Sequence, residues 1–124
     1  MQVFKNRAFS KWASKEGLSD EALLNAVEEI TQGLADADLG GHVFKKRVAV
    51  GSRGKSGGAR TLLAYQAGSR AFFIYGFAKN AKANISNTEL RALKLYANVL
   101  LNYSKAELIK AAESGVLIEV VSDE

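Results

Sequence analysis

Cysteine is absent from this 124-residue chain, so disulfides and thiolate-bound metals are excluded. His42 stands alone, which also excludes a histidine-rich metal centre, and neither metal nor cofactor is expected. Proline is missing too, with no functional consequence. No apolar run approaches the roughly 20 residues of a membrane span. The segment MQVFKNRAF lacks the apolar core of a secretory signal. A reducing cytoplasm is therefore the expected compartment, with no membrane partner. Acidic residues are missing from a long internal stretch, with none between Asp38 and Glu89.

That last absence gives the modest net charge of +4 its meaning. Residues 1–40 carry four basic and seven acidic side chains, and residues 83–124 carry four and six. Residues 41–82 carry nine basic side chains and no acidic one: Lys45, Lys46, Arg47, Arg53, Lys55, Arg60, Arg70, Lys79 and Lys82. Positive charge focused in this way raises the local potential and favours a polyanion over a merely solvated basic surface.

The length suits a single domain over residues 1–124, with a core large enough to need no staples. Phe4, Ala8 and Trp12 recur at helical spacing and predict a helix over 4–15, ended by Gly17. Ser19 reads as the cap of a second helix, with an apolar stripe of Leu23, Val27, Ile30 and Leu34. The period then changes. Residues 43–50 read as a cationic strand, 59–66 as a second and 70–78 as an aromatic third, joined to the second by a short glycine-containing turn. Ser86 with Glu89, and Ser104 with Glu107, fit capping boxes that open two more helices. Residues 116–121 close the chain as a strand. The expected class is α+β: a small antiparallel sheet packed against N-terminal helices, with C-terminal helices following.

Successive strand side chains point to opposite faces, so Lys45 and Arg47 share one face while Lys46 joins Phe44 and Val48 on the other. Arg60 opens the next strand and Lys79 ends the third, so Lys45, Arg47, Arg60 and Lys79 are expected to converge as the catalytic set. Lys46, Arg53, Lys55, Lys82 and Asn84 are the expected set for binding a nucleic-acid backbone. Clustered cations repel unless an anion bridges them, and a nucleic-acid backbone supplies one. Clustering also favours the neutral amine of a lysine, the form able to accept a proton. Arginine is no base, but it braces a phosphate in transition. Phe72, Phe73, Tyr75 and Phe77 read as core or sheet surface, and Tyr65 or Tyr75 stacks on a base only if exposed. His42 reads as an incidental loop residue.

The segment AVGSRGKS, residues 49–56, matches a loose P-loop. A working P-loop opens a helix, whereas this one runs into two glycines and a strand, with no nearby acid to hold magnesium. A nucleotide site is therefore rejected, and the glycines read as a turn allowing close backbone approach.

The succession FKKRVAV, GKSGGARTLLAYQ and FFIYGFAKNAKANIS, followed by a leucine-patterned helix, resembles the RelE/HigB toxins over roughly residues 40–105. The resemblance implies a compact α/β fold and ribosome-dependent, metal-independent cleavage of messenger RNA. The substrate 2′-hydroxyl attacks the adjacent phosphodiester, leaving a 2′,3′-cyclic phosphate and a 5′-hydroxyl. It places Lys45 at the position tied to proton abstraction, Arg47 as a second strand cation, Arg60 at the scissile phosphate and Lys79 as the cation closing the next strand. It implies a cognate antitoxin, the 70S ribosome and mRNA as partners, which makes RNA the nucleic acid expected at Lys46, Arg53, Lys55, Lys82 and Asn84. The sequence departs from the pattern where some members have an arginine and this one has Asn80. No tyrosine occurs in residues 83–86, where some members stack a base, and Lys82 and Asn84 stand as candidates for the general acid. ParE toxins share the fold and poison DNA gyrase without cutting RNA, so a gyrase poison or a non-catalytic RNA-binding module is the alternative.

Overall fold

The computed structural model describes residues 1–50, 58–78 and 85–122. Among these described residues, six strands form one sheet: β1 (Gln2–Asn6), β2 (Ala37–Asp38), β3 (Val43–Val48), β4 (Ala59–Tyr65), β5 (Arg70–Ala78) and β6 (Leu117–Glu119). Four helices accompany them among the described residues: α1 (Arg7–Glu16), α2 (Asp20–Thr31), α3 (Asn87–Leu101) and α4 (Lys105–Glu113). The strand order is β2-β3-β4-β5-β1-β6. The α+β class holds, but the sheet is mixed: β1 runs parallel to β5, and the other pairings are antiparallel.

The single helix expected over 4–15 is corrected to a strand followed by a helix. Val3 and Phe4 point to opposite faces of β1, and both are buried. Phe4 stacks on Phe72 with ring centroids 5.4 Å apart, on the face away from Trp12. Its helical spacing to Ala8 and Trp12 is therefore coincidental. Asn6 marks the changeover: its side chain accepts from the Phe9 N–H at 2.7 Å and caps α1. Gly17 ends α1 in the left-handed region at φ 77°, where a side chain would be strained.

The sheet lies between two helical layers. On one face α1 and α2 bury Phe9, Leu23, Val27 and Ile30 against Leu63 and Phe73. On the other, α3 and α4 bury Ala97, Leu100 and Leu108 against Val43, Leu62 and Phe72. Each fully buried large side chain contributes about 1.5–3 kcal/mol. Leu34 leaves the expected stripe because α2 ends at Thr31, and it is exposed. Ser19, Ser86 and Ser104 all cap as expected, the last two with complete capping boxes.

Two irregularities in β5 bear on the site. The pairing with β4 shifts between Leu62 and Leu63, which leaves Ile74 as an extra residue. Such a bulge reverses the in-out alternation beyond it. Tyr75 and Phe77 therefore face the side of Leu62 and Arg60, their register partners. The Asn6 side-chain amide donates to the Ile74 carbonyl at 3.2 Å, so the residue that caps α1 also satisfies the bulge. Gly76 then faces α1, where a Cβ would lie 2.2 Å from the Trp12 ring.

Candidate nucleic-acid interface

The cationic face is built by register. Arg47 lies directly opposite Arg60, and Lys45 opposite Leu62. Opposed residues place their Cβ atoms about 5 Å apart, close enough for like charges to destabilise the pair. Alternation puts Lys45, Arg47 and Arg60 on the same face as Val43 and Leu62, the face packed by α3. There they line an open polar depression of about 340 Å³, together with Asp36.

Partners within the fold relieve the repulsion. Arg47 Nε donates to Asp36 Oδ1 at 3.1 Å, and the Arg47 main-chain N–H donates to Asp36 Oδ2. Arg60 Nη1 donates to the Gly58 carbonyl at 3.0 Å. The Lys45 side chain makes no hydrogen bond or ion pair among the described residues. Among the described residues, three cations meet one carboxylate on this lining, so it carries net positive charge and suits an anion. Beside it, Tyr75 and Phe77 pack with centroids 6.0 Å apart, and the Tyr75 hydroxyl donates to Glu89 at 3.1 Å. Glu89 also completes the capping box of α3, so the aromatic rim is tied to that helix's first turn.

The model of the RelE toxin of the RelE/RelB toxin-antitoxin system matches residues 1–120 of this sequence. The chain belongs to the RelE toxin family. No curated protein matches it significantly. Membership of a toxin-antitoxin family implies an antitoxin as partner. Among the described residues of this RelE-family toxin, no helix is long and apolar enough to cross a membrane.

Of the residues singled out in the sequence, Lys45, Arg47 and Arg60 come together. Lys79, Arg53, Lys55, Lys82 and Asn84 lie outside the described residues, as does most of the glycine-rich loop. Lys46 is corrected. It points to the opposite face and is buried, its amine 2.8 Å from Glu29 Oε1 and 2.7 Å from the Leu34 carbonyl. It pins β3 to α2 and the segment that follows, and has no surface to offer RNA. The Thr61 hydroxyl donates to the Lys46 carbonyl at 2.8 Å on the same strand pair. Tyr65 is buried too, its hydroxyl 3.2 Å from that of Thr31, so it is no stacking platform. His42 serves the turn before β3: it has a φ of 64° and its carbonyl accepts from the Tyr65 N–H at 2.9 Å.

Asp36 was not foreseen. It lies just before the acid-free stretch and comes to the site only because β2 pairs with β3. The faint signal in the sequence was an acid followed, after a glycine-rich turn, by an alternating cationic strand.

Proposed function

We propose that this RelE-family toxin is a ribosome-dependent endoribonuclease that cuts messenger RNA without a metal, in the cytoplasm. The observation that carries this reading is the convergence of Lys45, Arg47 and Arg60 on one open polar depression. Arg60 and Arg47 hold the scissile phosphate and the negative charge that grows on it. The Lys45 amine takes the proton of the 2′-hydroxyl as its oxygen attacks phosphorus. The bond from phosphorus to the 5′ oxygen breaks, and that oxygen leaves with a proton, for which the Lys82 ammonium is the candidate donor, while the Asn84 amide could only hydrogen-bond the leaving oxygen. The products are a 2′,3′-cyclic phosphate and a 5′-hydroxyl, so the step balances without an added reagent.

A small protein without a histidine pair gains much from a substrate oriented by another body. Orientation alone supplies several kcal/mol of a barrier. The ribosome is the proposed orienting body, and an antitoxin is proposed to silence the protein by covering the same cations. Lys79 is proposed to complete the set.

The test is an end-labelled messenger on translating ribosomes, with wild type and Arg60→Ala compared. Cleavage at A-site codons is expected from wild type, with a loss of at least about a hundredfold in the variant. An intact messenger with folded wild-type protein overturns the reading and favours a gyrase poison. Salt-sensitive RNA binding without cleavage favours a binding module instead.

A further inference from the structure

Asp36 sits where the edge of the sheet runs out. β2 has only two residues, Ala37 and Asp38, paired with Lys45 and Phe44. The Asp36 N–H donates to the Lys45 carbonyl at 3.0 Å, continuing the main-chain ladder. The next edge donor on β3 is the N–H of Arg47, and the Asp36 carboxylate takes it through Oδ2. The other oxygen accepts from Arg47 Nε at 3.1 Å. One carboxylate thus grips the main chain and the side chain of the same arginine.

The grip is one-sided. Nε is engaged, which fixes the plane of the guanidinium, while both Nη groups are left without a partner among the described residues. The Asp36 side chain is 21% exposed and that of Arg47 46%, so the arginine is the more open member of the pair. A long side chain held in advance loses little freedom when a ligand arrives.

We infer that Asp36 is a positioning residue that fixes the Arg47 guanidinium with its Nη groups turned toward the RNA phosphate. This rests on reading the depression as a phosphate site. Asp36 does not itself contact the phosphate. It repels that group weakly while making a better donor of its neighbour, and the lining keeps two further cations.

The experiment compares wild type, Asp36→Ala, Arg47→Ala and the double variant in the ribosome cleavage assay. Asp36→Ala is expected to lower kcat about tenfold with a smaller change in KM, as a misaimed group does. The double variant is expected to match Arg47→Ala, because Asp36 acts only through that arginine. In nitrogen-15 spectra, the Arg47 Nε–H resonance, assigned by its loss in Arg47→Ala, should be protected in wild type and exchange-broadened in Asp36→Ala. A double variant markedly slower than Arg47→Ala overturns the inference, since Asp36 would then act through the fold. Faster cleavage by Asp36→Ala also overturns it, because the carboxylate would be competing with RNA. If Asp36→Ala fails to fold, Asp36→Asn retains an acceptor for the main-chain N–H and replaces it in every arm. If wild type cuts nothing, the proposed enzyme reading fails on its own. The inference is then decided by the resonance and by binding of a single-stranded RNA oligonucleotide. Asp36→Ala should bind it several-fold more weakly, and equal or tighter binding overturns the inference.

Discussion

Replacing Gly76 with alanine tests the packing that sets the end of β5. A Cβ there would lie 2.2, 2.5 and 2.6 Å from three carbons of the Trp12 ring. Carbon atoms in contact prefer about 3.5–4.0 Å, so the overlap exceeds 1 Å. Trp12 cannot simply slide away: it packs on Phe9 at 5.4 Å between centroids, and Phe9 packs on Phe73 at 5.3 Å. Overpacking of this kind costs about 1–3 kcal/mol. Alanine ordinarily gains about 0.5–1 kcal/mol over glycine within a strand, because the unfolded chain is less free. The expected net loss is about 1–2 kcal/mol, or roughly 5 °C in Tm for a chain of this length. Urea unfolding followed by far-ultraviolet circular dichroism measures it. Trp12 is the only tryptophan, so fluorescence reports the ring directly in the single variant. The decisive comparison is the Trp12→Ala background, where alanine at 76 should become neutral or mildly stabilising. An equal loss in both backgrounds, or none in the native one, refutes the steric reasoning.

Two other perturbations follow from the same structure. Lys46→Met removes a buried amine, takes the donor from the Leu34 carbonyl and breaks the ion pair with Glu29. A loss of about 1–3 kcal/mol is expected, read as a lower urea midpoint at unchanged slope. An unchanged midpoint means the pair contributes nothing. At the start of α4, the Ser104 main-chain N–H, and then its hydroxyl, hold the Glu107 carboxyl below its ordinary value. A depressed folded-state value means stabilisation that is full above the unfolded value and is lost as pH falls through the lowered one. Glu107→Gln should therefore lose less thermal stability than wild type on acidification. Parallel Tm-against-pH curves for the two proteins would contradict this.

Much of the fold was legible because local rules and tertiary structure agree. Capping serines, the stripe of Leu23, Val27 and Ile30 on α2 and the extent of β5 all followed from short-range chemistry. The misses are long-range. Gln2–Asn6 is too short for its alternation to outweigh the helical spacing of Phe4, Ala8 and Trp12, and its partners are far away in sequence. The parallel pairing that makes the sheet mixed has no local signature at all. The bulge at Ile74 is equally silent, yet it puts Tyr75 and Phe77 on the face of Leu62 and Arg60 and turns Gly76 toward Trp12. In the site, alternation correctly separated Lys45 and Arg47 from Lys46. Charge alone then suggested RNA for all three, while burial against Glu29 decides otherwise for Lys46. Asp36 is not legible in the charge pattern because it reaches the site only through the pairing of the two-residue strand β2 with β3.

The pairing of β1 also has a consequence for the order of assembly. The cationic face belongs to β3 and β4, neighbours in sequence that pair antiparallel, so its contacts are local and close early. β1 is different: Phe4 is bracketed by Phe72 on one side and Glu119 on the other. A growing polypeptide holds residues 2–6 unpaired until β5 emerges, and completes their second edge only when β6 has left the ribosome. The Asn6 amide that satisfies the bulge waits with them. Maturation of this toxin is thus timed by its own topology, with the clasp between β1 and β6 made by residues far apart in the sequence.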